Sequence, residues 1–218
     1  VEGTALYNYT EGYGSYLIPA VMMIIIFQTL LMVIGMVTGE EYSSDGIRTY
    51  APFGHTWAAA IRIVAGKAFV YCGLYAIFSF FLLGLLPYFF SIPNIGNGLY
   101  IVLLMIPYLI ATSFLGLAAS RYFTDSEAPL LMIAFFSVGL IFLSGVSYPM
   151  ELMPWYWKAA HYILPAAPAT LAFVQLNSMG ASMADIRPEY ITLWIQVLVY
   201  FILSIWVYQK KLQKSQLR

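Results

Sequence analysis

Five stretches of this sequence run for about twenty residues without an Asp or Glu: about Tyr16 to Thr38, Ile63 to Pro87, Leu99 to Ala119, Ala128 to Tyr148 and Tyr190 to Tyr208. A hydrocarbon core about 30 Å thick needs about 20 apolar residues at 1.5 Å per residue, so each run is long enough to cross it. Lys67, near the start of the second run, is the only cation in any of them. The pattern predicts an all-α, polytopic membrane helix bundle with five transmembrane helices.

Composition agrees. Of the 218 residues, 61% are hydrophobic and 9% are charged, where a soluble domain carries about 25% charge. Disorder is excluded too, because apolar surface is in excess. Ten Lys and Arg balance ten Asp and Glu, so no whole-chain field gathers nucleic acid or an acidic partner. The single cysteine, Cys72, rules out an intrachain disulfide framework and reads as a small apolar filler among Phe69, Val70, Tyr71 and Leu74.

Lys and Arg in short loops are retained on the cytoplasmic side. Arg48, Arg62 and Lys67 lie between the first run and the head of the second, Arg121 follows the third, and Lys210, Lys211, Lys214 and Arg218 follow the fifth. The alternate side carries only Lys158 and Arg187. This bias places the C-terminus inside and Val1 outside. An external N-terminus without a basic leader needs an earlier segment to carry it across, so the native polypeptide is expected to begin upstream with at least one more span. Tyr7, Tyr9, Tyr13 and Tyr16 on the outer approach, and Trp206 and Tyr208 at the inner exit, are placed as an aromatic belt.

The chain therefore divides into an outer approach (1–15), a transmembrane domain (16–208) and a basic cytoplasmic tail (209–218). The first cytoplasmic loop suits a short helix lying on the membrane surface. Pro52 sits before its start, Trp57, Ala60 and Ile61 form an apolar stripe, and Glu40, Glu41, Asp45 and Arg48 face water or a partner. A merely amphipathic connector is the other reading. After the fourth run, apolar pieces broken at Pro149, Pro154, Pro165 and Pro168 are too short to cross. They read as re-entrant or interfacial helices on the outer face, tolerated only where protein or a watery cavity supplies partners for the broken backbone.

Catalytic and metal-binding parts are not apparent. His55 and His161 fall on opposite faces of this topology, no carboxylate pair lies within a span, and neither H-E-x-x-H nor G-x-S-x-G occurs. The phosphate-binding pattern G-x-x-x-x-G-K-[ST] is also absent, since Gly66 and Lys67 are followed by Ala68. The in-span polar residues Gln28, Thr29, Ser79, Thr112, Ser113, Ser137 and Gln196 are neutral and are expected to bond neighbouring helices, and Gly35, Gly39, Gly84, Gly116 and Gly139 to allow close packing. A multispan chain with no energy source of its own needs an engine on another chain.

Taken in order, the segments LYNYTEGYGSYLIPAVMM, GEEYSSDGI, AGKAFVY (with Gly66 and Lys67) and SGVSYPMELMP (Ser144 to Pro154), followed by Leu164 and Pro165, resemble the membrane subunit of type-2 ABC exporters, the permease half of bacterial efflux systems. The resemblance covers nearly the whole chain. Two departures stand out: Ile47 replaces the Thr that commonly follows the loop glycine, and the spacing from Gly46 through Pro52 to Gly66 differs from the commoner pattern. It implies a six-span inner-membrane protein whose first span and periplasmic domain precede this sequence. It also implies a homodimer, or a pair with a related permease, docking two ATPase subunits that carry ATP and Mg, with a periplasmic adaptor as a further partner. In that scheme the loop from Glu40 through Arg48, Pro52, His55 and Trp57 to Arg62, with Gly66 and Lys67, transmits ATPase closure. Ser144, Gly145, Pro149, Glu151, Pro154 and Pro165 shape the outer exit, and Gln28 and Met32 line the path. The cargo suited to such an uncharged interior is hydrophobic or amphipathic. Two other classes compete: a membrane enzyme acting at the outer leaflet through Glu151 and His161, and a non-transporting assembly subunit.

Overall fold

The computed structural model describes residues 13–43, 56–90, 95–123, 127, 129–130, 139–148 and 150–215. Their α-helices include α1 (Tyr13–Ser43), α2 (Trp57–Phe80), α3 (Leu86–Phe89), α4 (Gly98–Ala119), α5 (Trp155–His161), α6 (Ala166–Met179) and α7 (Arg187–Ser215), and residues 129–130 and 139–143 are helical as well. A π-helical stretch, Phe81–Leu85, carries α2 into α3, and a 3-10 turn, Met150–Leu152, precedes α5. No strand occurs among the described residues, as the all-helical expectation requires.

Four stretches are long and apolar enough to cross a membrane: Leu17–Glu41, Trp57–Phe89, Gly98–Ala119 and Arg187–Gln213. They match the first, second, third and fifth predicted runs. In the fourth, residues 128 and 131–138 lie outside the described residues, as do residues 1–12, Arg48, Pro52, His55, Pro149 and the side chain of Glu151. The pieces predicted to be re-entrant or interfacial are helical, α5 and α6, and meet at 83°, the geometry of a broken span or of a re-entrant loop.

Helix limits follow from local chemistry. Thr56, extended at φ −85°, ψ 158°, accepts the Ala59 amide on its side chain and starts α2. Asn97 does the same for α4 through the Leu99 amide at 3.0 Å. At the far end of α6, Gly180 takes the left-handed conformation (φ 65°) and its N–H bonds the Gln175 carbonyl.

One expectation is corrected here. Trp57, Ala60 and Ile61 are not on a separate surface helix; they form the first turns of α2. Between the Thr56 cap and Phe80 the sequence has no proline and is rich in alanine, so nothing interrupts the helix. Ala60 is buried while Trp57 and Ile61 are exposed, so the supposed single stripe divides between two faces. The basic tail is also helical as far as Ser215.

In lipid, helix contact gains little from the hydrophobic effect, and close packing with hydrogen bonds takes its place. The centre of the bundle is α4, which packs on α1, α2, α6 and α7. Tyr108 of α4 is fully buried and its hydroxyl donates to the Met23 carbonyl of α1 at 2.7 Å. At Gly116 a Cβ would stand 2.9 Å from Ile34 Cδ1, and at Gly35 it would stand 2.6 Å from Pro129 Cβ, so both glycines permit a close approach. Gly84 and Gly139 do not: one would meet only Phe80 of its own helix, the other nothing. Of the in-span polar groups, Ser113 meets Cys72 across α2 and α4 at 3.4 Å, whereas Thr29 bonds its own helix at Ile25. The hydroxyls of Ser79 and Thr112 are buried with no partner among the described residues. The outer faces of α2 (Phe69, Ile77, Phe80) and α7 (Ile195, Leu198, Ile202) are exposed and apolar, as lipid solvation demands.

Candidate functional site

Glu41 is in the last turn of α1 and Lys67 is ten residues into α2, on either side of the loop between them. The Lys67 ammonium donates to both Glu41 oxygens, 2.6 Å from Oε1, and to the Tyr208 hydroxyl of α7 at 3.2 Å. The pair is mostly buried, with side-chain exposures of 13% for Lys67 and 23% for Glu41. Lys211, one turn beyond Tyr208, donates to the Ser120 carbonyl at 3.1 Å and to its hydroxyl at 2.9 Å, closing the end of α4. Lys67 and Lys211 stand 5.3 and 5.2 Å from the centre of the Tyr208 ring, within cation–π range. α1, α2, α4 and α7 are thereby tied together at one end, beside the loop that joins α1 to α2.

Sequence reasoning placed Glu41 and Lys67 at this end, and the structure brings them into one ion pair. It missed Ser120, Lys211 and the role of Tyr208. Tyr208 is not a belt residue: it is 3% exposed and faces Lys67, while Trp206 remains 40% exposed. Two residues along a helix is a rotation of about 200°, so the two rings cannot share a face, and the Tyr208–Lys211 spacing was the available signal. Of the other predicted loop residues, Glu40, Trp57 and Arg62 are exposed, and a Cβ on Gly66 would meet nothing within 4 Å.

The second candidate region is the α5–α6 bend. Breaking a helix frees backbone carbonyls, and in a membrane protein other side chains must answer them. Gln196 Nε2 donates to the Tyr162 carbonyl at 2.8 Å, and the Tyr200 hydroxyl donates to the Ile163 carbonyl. Gln196 and Tyr200 are nine and thirteen residues into α7, so at 1.5 Å per residue the bend sits about 14 to 20 Å along it, near its middle. His161, 1% exposed, directs Nδ1 at the Leu143 carbonyl at 2.8 Å; a carbonyl only accepts, so Nδ1 carries the proton. Every one of these groups is engaged with the backbone.

The predicted exit residues gather around this bend. Ser144 donates to the Ile141 carbonyl at 2.7 Å and accepts the Val146 amide at 3.4 Å. Gly145 turns at φ 81°, where a Cβ would come 2.9 Å from Met150 Cγ. Pro154 precedes α5 and is exposed, while Pro165 precedes α6 and is buried. Tyr200 was the residue sequence reasoning missed, since a tyrosine within an apolar run carries no distinguishing pattern. On α1, Gln28 and Met32 are half-buried, on the face that also exposes Ile25 and Met36.

Neither a curated protein nor a solved structure matches the chain. A family model, described as ABC-2 family transporter protein, matches residues 1–206, almost the whole length. Together with the apolar helical bundle, that match shows that the chain belongs to the ABC-2 family of transporter proteins, as a multi-pass membrane permease of an ABC transporter.

Proposed function

We propose that the chain is the permease subunit of an exporter that moves a hydrophobic or amphipathic substrate outward across the cytoplasmic membrane, driven by a separate ATPase subunit that binds ATP and Mg. The observation that carries this reading is the Glu41–Lys67–Tyr208 junction, with Lys211 and Ser120. It joins four helices beside the α1–α2 loop, so a push on that loop would move the ends of all four. The loop, with Glu40, Arg48, His55 and Arg62, is the surface an ATPase subunit would press. Binding of ATP would then shift the permease between conformations by the difference in contacts made in each. The basic end is cytoplasmic in this scheme and the α5–α6 bend faces the exit. The α1 face of Ile25, Gln28, Met32 and Met36 is exposed or half-buried in a single chain, and in this reading a second copy covers it in a homodimer enclosing a path.

The test is copurification of the full-length native protein in mild detergent, with ATP hydrolysis as readout. A stoichiometric ATP-hydrolysing subunit, released by charge reversal at Glu40 and Arg48, is the predicted result. A protein that carries no ATPase partner even after cross-linking contradicts the proposal.

A further inference from the structure

On α7 the exposed residues Ile195, Leu198, Ile202 and Trp206 recur at spacings of three and four and form one face. Lys210, four residues beyond Trp206, continues that face and is exposed. Its ammonium lies 3.6 Å from the centre of the Trp206 ring. Arg121, from the turn that follows α4, brings its guanidinium to 5.7 Å from the same ring. Two cations from different elements thus share one indole, and neither forms an ion pair among the described residues. The neighbouring charges are otherwise engaged: Lys67 with Glu41, and Lys211 with Ser120.

Two like charges held together at the edge of an apolar face are most stable when an anion lies between them. At that depth the abundant anion with an apolar body is a phospholipid headgroup, and an interfacial tryptophan marks the headgroup level. We infer that Arg121 and Lys210, both beside Trp206, form a specific site for an anionic phospholipid. The phosphate is held by the two cations and an acyl chain runs along Ile202, Leu198 and Ile195. The charge complementarity and the continuous apolar stripe select a lipid over a soluble anion, which would leave the stripe uncovered. Basic residues at a membrane surface each attract anionic lipid by about 1 kcal/mol, so the pair should favour such a lipid by about thirtyfold.

The test uses the full-length protein with Trp206 as its sole tryptophan, the others replaced by Phe, reconstituted in phosphatidylcholine vesicles. Trp206 fluorescence is titrated with brominated phosphatidylglycerol and, separately, with brominated phosphatidylcholine. The expected result is quenching by phosphatidylglycerol at about thirtyfold lower lipid fraction, reduced to parity by Arg121→Gln with Lys210→Gln. A second protein with Trp194 alone, near the opposite end of α7, should show parity from the start. Equal quenching by both lipids at Trp206 overturns the inference. So does absence of quenching, which would mean that protein covers the stripe, and so does loss of the preference in excess inorganic phosphate, which would mean a soluble-anion site. If the single-tryptophan proteins do not fold, native mass spectrometry of the otherwise unaltered protein decides. It should retain one more anionic phospholipid per chain than the Arg121→Gln, Lys210→Gln variant, and equal retention overturns the inference.

Discussion

Beside the last turn of α1, four helices are joined through charged side chains, whereas the α5–α6 bend is joined to its neighbours by neutral donors reaching backbone carbonyls. Charge contacts answer to other charges and to salt, so a junction built from Glu41, Lys67 and Lys211 can be rearranged by a partner that brings its own charges. Gln196, Tyr200 and His161 have no such exchange available: away from water, each lost hydrogen bond leaves a carbonyl unanswered. The charged end is therefore suited to receive a signal, and the bend beside the middle of α7 to keep a broken helix in one shape.

Breaking the charged end should have the largest effect. Lys67→Met takes the ammonium from a mostly buried carboxylate and should cost about 3 kcal/mol of stability, measured by thermal unfolding in detergent. Glu41→Gln added to it should restore more than half of the loss; strictly additive losses would show that the two do not act as a pair. At the α5–α6 bend, Tyr200→Phe and Gln196→Leu should each cost about 1 to 2 kcal/mol. Salt is the weaker lever: a mostly buried pair is screened far less than an exposed one, so raising salt should shrink the Lys67 effect only slightly and leave the Tyr200 and Gln196 effects unchanged.

Smaller effects lie in the turns that flank the hairpin. Gly180→Ala places a Cβ on a left-handed residue and should cost about 1 kcal/mol. Asp185 supplies the one pH-sensitive contact here. The Ser182 amide and hydroxyl both donate to its Oδ2, at 2.8 and 2.7 Å, and hold its carboxyl below the ordinary carboxylate range. The contribution of this exposed turn is present above the unfolded pKa and is lost as pH falls through the lowered folded one. Hydrogen exchange at the Ser182 amide should speed up across that acid window, and Asp185→Asn should abolish the pH dependence.

Much of this was legible in the sequence. The uncharged runs gave the crossing helices because bilayer thickness fixes their length, and Pro154 and Pro165 marked the starts of the broken pieces because proline lacks the N–H that a helix interior uses; Pro168, read as a further break, lies in the first turn of α6, where that N–H is not needed. The start of α2 was misplaced because an apolar stripe at Trp57, Ala60 and Ile61 fits a surface helix and the first turns of a span equally well. The junction was half legible: a lone lysine in a span and a glutamate ending the previous one are conspicuous, but that Tyr208 turns inward depends on how α7 is rotated, which packing against α4 decides. Tyr200 was hidden for the same reason.

The account stands on which face each end occupies, and side-specific labelling in intact cells tests that most directly. With Cys72 replaced by Ala, a cysteine is placed either at Tyr122, exposed in the turn after α4, or at Ala184, exposed in the turn before α7, and treated with a membrane-impermeant maleimide. The account predicts that Ala184→Cys is labelled from outside while Tyr122→Cys is labelled only after permeabilisation. Labelling of Tyr122→Cys in intact cells, with Ala184→Cys protected, would put the charged junction on the wrong side for an ATPase and contradict it.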